Sequence, residues 1–161
     1  KYFLIVLFFI VTPIHANEYQ GKVVKIVDGD TLDVRLDDGV TKRVRLRYID
    51  APEAKQSFGK ETTQFLEDNT LGKTVTVNVE YRDKYKRDIG DIFIYDDGIA
   101  IYINAKLIKS GNAWVYKGYR SNSYLINLEN HARKHKLGLW KDENPLEPWQ
   151  CRKLQKSKLK C

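Results

Sequence analysis

Between residues 20 and 95 the chain runs mostly as short stretches of alternating apolar and polar residues, interrupted by one helical segment, and the positions after residue 103 carry apolar residues at helical spacing. Residues 20–27 are rich in β-formers and end at the turn Asp28-Gly29-Asp30, after which residues 31–36 alternate with period two, as a half-buried strand does. Asp37-Asp38-Gly39 marks a hairpin. Residues 40–49 then return with Val44, Leu46 and Tyr48 on one face and Arg43, Arg45 and Arg47 on the other. Val75, Val77 and Val79 define a fourth strand, and residues 89–95 a fifth, with a polar loop at 82–88 between them. Helices are predicted over 57–69, stopped near Gly72; over 105–110, capped by Asn104 and ended by Gly111; and over 122–136, ended by Gly138. Beyond Trp140, Pro145 and Pro148 predict little regular structure. Strands in hairpins followed by helices predict an α+β domain on a closed barrel of five strands with three helices, for which the OB-fold is the natural candidate.

Length and composition narrow this to one globular domain. The chain has 161 residues, 42% of them apolar and 30% charged, with 10 Tyr, 6 Phe and 3 Trp, enough for a packed core and too short for two. Its charge of +7 is unevenly placed: apart from Lys1 and the five cations Arg152, Lys153, Lys156, Lys158 and Lys160, the chain is nearly neutral. The organisation expected is a signal peptide at 1–16, a single folded domain at 17–144 and a basic tail at 145–161. Residues 2–11 are an uncharged apolar run behind Lys1, shorter than a membrane span, and Ala16 is a small residue where a signal peptidase could cut. The protein is therefore expected to be secreted or periplasmic, a monomer, and without stable membrane association after cleavage. Export makes a disulfide between Cys151 and Cys161, the only cysteines, plausible; two free tail thiols remain the alternative. Two thiols serve zinc poorly, because His131 and His135 belong to a separate predicted helix.

Two acidic clusters flank the first hairpin, Asp28-Gly29-Asp30-Thr31 at its start and Asp50-Ala51-Pro52-Glu53 at its close. Strand pairing can bring Asp30 and Asp50 together, and convergent carboxylates suit Ca²⁺ or Mg²⁺. Each tetrapeptide alone is better read as a turn. The three arginines on one strand face either meet solvent or line an anion site, and alternation does not separate the two.

Together these residues resemble the staphylococcal nuclease family. The matching blocks are residues 27–31, 45–53, 83–87, 104–111, 113–117 and 132–140, in order and at the family's intervals, so the resemblance spans roughly 20–140. It implies an SNase-like OB-fold barrel and a Ca²⁺-dependent phosphodiesterase acting on DNA and RNA, leaving 5′-hydroxyl and 3′-phosphate ends. By family position, Asp30, Asp50 and the carbonyl of Ala51 hold the calcium, with Asp28 behind them. Glu53 matches the proposed general base, and Arg45 and Arg87 match the phosphate-gripping arginines. Lys84, Tyr85, Trp114 and Tyr116 match positions that contact the nucleotide, with core packing the weaker alternative for the last two.

Three departures stand out. Ala51 replaces a threonine of the best-known member, Lys86 replaces a glycine beside Arg87, and the segment 54–57 is short. The rival from another class is a non-catalytic OB module that binds nucleic acid; retention of Asp30, Arg45, Asp50, Glu53 and Arg87 together speaks against it. An exported calcium-binding structural domain leaves the paired arginines unexplained.

Overall fold

Alternation in the sequence becomes a barrel because each strand buries one face against the same interior. The computed structural model describes residues 17–161; the signal-peptide reading of residues 1–16 lies outside the described residues. The strands are β1 (Asn17–Asp28), β2 (Thr31–Arg35), β3 (Thr41–Leu46), the two-residue β4 (Ile49–Asp50), β5 (Thr74–Arg82), β6 (Asp88–Asp96), β7 (Ile99–Tyr102) and the two-residue β8 (Trp114–Val115). The main sheet runs β3-β2-β1-β5-β6-β7, and an additional parallel pairing of β3 with β6 closes it into the expected five-stranded barrel. Val23, Leu32, Val34, Val44, Leu46, Val75, Val77 and Ile92 fill the interior and are all buried.

The three expected helices are present as α1 (Gly59–Thr70), α2 (Ile103–Lys109) and α3 (Ser123–Lys134). Asn122 caps α3, accepting from the Leu125 N–H at 3.2 Å. A fourth helix, α4 (Pro148–Lys156), corrects the expectation of little regular structure beyond Trp140. Pro148 takes the first helical turn, where a missing N–H breaks no bond. The Cys151–Cys161 disulfide then ties the chain end back onto the helix.

The strand expected to reach residue 49 breaks after Leu46. Tyr48 has φ +69, which a regular strand cannot accommodate. The Arg45 side chain occupies the bend, its Nη1 donating to the carbonyls of Leu46 (3.0 Å) and Ile49 (3.1 Å). The chain resumes as β4, which pairs with β8 and so carries Asp50 alongside Trp114.

Candidate active site

One cleft of about 520 Å³ opens at the end of the barrel where β1 meets β2 and β3 breaks. Gly29 permits the first approach: a Cβ there would lie 2.8 Å from the Ala51 Cβ and 2.6 Å from Thr62 Cγ2 of α1. With no side chain in the way, the Asp28–Asp30 turn lies against Ala51, and the Ala51 N–H donates to Asp30 Oδ2 at 3.0 Å. Asp28 Oδ1 accepts from the Asp30 N–H (3.1 Å), and Thr31 Oγ1 donates to Asp30 Oδ1 (3.0 Å).

Asp30 and Asp50 converge on a single cationic point. Arg45 Nη2 lies 3.1 Å from Asp30 Oδ2 and 2.9 Å from Asp50 Oδ1. Burial opposes the Arg45 charge, but the two carboxylates more than compensate and raise its pKa. Burial, with Asp30 adding to it, also raises the Asp50 pKa despite the hydrogen bond from Arg152 and the nearby Arg45. Asp28 is pushed to about 6, first by burial and then by the charge of Asp30.

Arg87 reaches the cleft from the loop before β6. That loop is organised by Asp83, whose Oδ1 accepts from the N–H groups of Tyr85 (2.9 Å) and Arg87 (3.0 Å) while its Oδ2 accepts from Arg87 Nε (2.9 Å). Lys86 keeps the loop's turn with φ +62, the left-handed conformation that a glycine adopts without strain. Tyr85 is 69% exposed at the cleft mouth, with Lys84 Nζ 5.2 Å and Arg87 Cζ 5.5 Å from its ring centre. Lys84 itself stands outside the cleft lining, whereas Tyr116 is in it together with Tyr48, Tyr81 and Tyr119.

Trp114 is the correction among the site residues. It is buried against Trp140, ring centres 4.3 Å apart, in a second small core with Ala132 and Leu139, and it does not line the cleft. Its strand partner Asp50 takes the cleft side, so the tryptophan is part of the packing beneath the site. His131 on α3 and His135 at its C-terminal end lie with ring centres 4.3 Å apart and planes tilted by 36°, and neither lines the cleft.

Sequence reasoning missed two participants. Asp83, which shapes the Arg87 loop, was inside a matching block without a role. Arg152, from α4, reaches both oxygens of Asp50 (Nη1–Oδ1 3.2 Å, Nη2–Oδ2 2.7 Å) and Glu53 Oε1 (2.6 Å). No pattern in the tail pointed to Arg152 beyond its place next to Cys151.

Two acids bracketing one half-buried cation, two further arginines and a wall of tyrosines form a site able to receive a polyanion with aromatic substituents. Residues 43–142 match the family profile described as staphylococcal nuclease homologue. The chain belongs to the staphylococcal nuclease family. Members similar over nearly the whole chain include an uncharacterized endonuclease of Escherichia coli O157:H7, 40% identical over 149 residues, which are 92% of this chain and 95% of that protein. A micrococcal nuclease of Shigella flexneri is 40% identical over 147 residues, 87% of this chain and 84% of its own. A staphylococcal-like nuclease of Arabidopsis thaliana matches 69% of this chain at 38% identity, within 33% of its own length.

The donor set fits the cation that the family implies. Asp30 and Asp50 are buried carboxylates already sharing one positive group, and burial disfavours the negative charge of Asp50, so a hard cation would be accepted at that point. Among the described residues no group of three or more His, Cys, Asp or Glu side chains forms a metal cluster.

Proposed function

We propose that the protein is a Ca²⁺-dependent phosphodiesterase that hydrolyses DNA and RNA to 5′-hydroxyl and 3′-phosphate ends. The observation that carries this reading is the convergence of Asp30 and Asp50 within hydrogen-bond distance of Arg45 Nη2, in a cleft that also holds Glu53 and Arg87. Its nuclease-named relatives support the same reaction class.

Asp30, Asp50 and the Ala51 carbonyl would hold calcium, whose oxygen preference and loose coordination match these donors better than magnesium's strict octahedron. When bound, it supplies positive charge to the phosphate and acidifies a water. Glu53 accepts the proton of the attacking water. Arg45, once the cation takes over Asp30 and Asp50, and Arg87 would present planar forks to the equatorial oxygens, on which charge grows during in-line attack, and so stabilise the transition state more than the ground state. Asp83 keeps Arg87 aimed, and Asp28 holds the turn that carries Asp30. Tyr85 and Tyr116 offer ring faces to bases while Lys84 offsets backbone charge. We further propose export to the periplasm or medium as a monomer, supported by the Cys151–Cys161 disulfide. Among the described residues no helix is long and apolar enough to cross a membrane.

The test is degradation of plasmid DNA and of RNA with calcium, with magnesium and with excess EGTA. Cleavage with calcium, little with magnesium and none with chelator is expected, with 3′-phosphate ends on the products. Full activity in EGTA would overturn the metal assignment. Binding without any cleavage would favour the non-catalytic module.

A further inference from the structure

Glu53 stands just after Pro52 in the irregular segment between β4 and α1, where no strand or helix fixes its side chain. Its carboxylate has one side-chain partner among the described residues, Arg152. The same guanidinium grips both oxygens of Asp50, whose side chain is 1% exposed, so one planar group links the candidate base to a candidate metal ligand.

The helix that delivers Arg152 is firmly seated. Trp149 packs edge-on against Trp114 and Tyr116, Cys151 is fully buried, and the disulfide to Cys161 closes the chain behind it. The segment before α4 also braces the Glu53 backbone. Gln56 donates through Nε2 to the Leu146 carbonyl, accepts from the Glu53 N–H through Oε1 (3.1 Å), and donates its own N–H to the Glu53 carbonyl (2.8 Å). Both the main chain and the side chain of Glu53 are thus held from the C-terminal segment.

We infer that Arg152 is a positioning residue, which fixes the Glu53 carboxylate relative to Asp50 so that the base meets the attacking water in one geometry. This rests on Glu53 acting as the base. A glutamate has three rotatable side-chain bonds and populates several rotamers when unpaired, and misplacement of about 1 Å at a reacting group can cost about 10²-fold in rate. The charge of Arg152 also offsets part of the repulsion between the two carboxylates, which lets them stand side by side before metal and substrate arrive.

The experiment compares wild type, Arg152→Ala, Arg152→Gln, Arg152→Lys, Glu53→Gln and the double variant Glu53→Gln/Arg152→Ala. Turnover and KM are measured on DNA at saturating calcium, and urea midpoints are measured in EDTA. Arg152→Ala and Arg152→Gln should each lose about 10- to 10²-fold in kcat, with KM within about threefold, and Arg152→Lys should fall between because an ammonium lacks the planar fork. In the Glu53→Gln background, Arg152→Ala should remove less than about twofold more, since a residue that acts through Glu53 has nothing left to position. The metal-free midpoints should show the same coupling, the double variant losing less than the two single losses combined. Unchanged or raised kcat in Arg152→Ala would overturn the inference, raised kcat marking Arg152 as a competitor for Asp50. So would an equal loss in the Glu53→Gln background. If Arg152→Ala fails to fold by circular dichroism, the Gln and Lys variants decide. A wild type that cuts nothing under any metal would refute the proposed function instead, and the midpoints in EDTA would still judge the ion pair.

Discussion

Asp28 carries the site's clearest electrostatic strain. Its carboxyl titrates near 6 in the fold against an ordinary 3.8, because burial and then Asp30 disfavour its charge. An acid with a raised folded-state pKa binds its proton more tightly when folded, so its contribution favours folding at low pH and is lost as pH rises from about 4 to about 6. In EGTA, the urea midpoint should therefore fall across that window. Asp28→Asn, which keeps an oxygen for the Asp30 N–H, should flatten the slope and stabilise the protein above pH 6 by roughly 1 kcal/mol or more. A wild-type midpoint that is flat from pH 4 to 6 would refute the assignment. At Arg87 the decisive property is shape: Arg87→Lys keeps the charge and loses the fork, and turnover should drop by about 10²-fold with circular dichroism unchanged. The meeting of Asp30 and Asp50 was legible in the sequence because a hairpin brings its two ends together, which spacing alone can encode; Arg45 was not legible that way, since its place between Arg43 and Arg47 on one strand face suits a solvated arginine as well. Trp114 was not, since an aromatic residue beside a pocket and one beneath it leave the same trace in a sequence.

Among the elements, the helices and the first hairpins were legible from glycines and alternation. Asn104, expected to cap α2, lies inside that helix after the cap Tyr102, its Oδ1 accepting from the Ile92 N–H and its Nδ2 donating to the Arg47 carbonyl. The break after Leu46 was not legible. The residues flanking it, Arg47 and Tyr48, continue the strand's alternation, and only the three-dimensional bend that the Arg45 side chain fills makes the positive φ of Tyr48 favourable. α4 escaped because Pro145 and Pro148 read as helix breakers, although a proline in the first turn does no harm. The joint between α3 and the site depends on Glu129, fully buried on α3. Its carboxylate accepts from the Val115 N–H (2.7 Å), from Arg120 (2.9 Å) and from Arg133 (2.7 Å), and Arg133 in turn lies over the Trp140 ring, 3.7 Å from its centre. Glu129→Ala would orphan a buried N–H and unpair both arginines, so a loss of about 3 kcal/mol or more in urea unfolding is expected. Tyr116 follows Val115 directly, so the same variant should also raise KM. A variant as stable as wild type would mean that this junction contributes nothing to the fold.

At the scale of the whole molecule, barrel closure and tail docking set what each end of the chain does. The five barrel strands were legible one by one, but their closure through the parallel β3–β6 pair joins segments more than forty residues apart, which no local pattern encodes. The tail shows the same limit: its charge was legible, and its partner was not. Charge alone predicts an appendage that attracts nucleic acid and leaves turnover untouched when removed. Arg152 on Asp50 and Glu53, and Trp149 on Trp114 and Tyr116, divide that tail into two functions. Lys153, Lys156, Lys158 and Lys160 are exposed and available to phosphates, so replacing them with glutamine should weaken binding and flatten the dependence of log Kd on log salt, by roughly 0.7–0.9 for each lysine that contacts the backbone, with kcat nearly unchanged. Truncation after Asn144 should show the same flattening and, in addition, a drop in kcat, because the residue facing Glu53 is gone. Cys161→Ser, which opens the loop closed onto α4, should lie between wild type and truncation in turnover while keeping the full salt slope, since every cation is still attached. The measurements are kcat and Kd against salt for the four proteins. Equal salt slopes in wild type and the glutamine variant would remove the lysines from substrate capture, and a truncated protein with wild-type turnover would detach α4 from the chemistry.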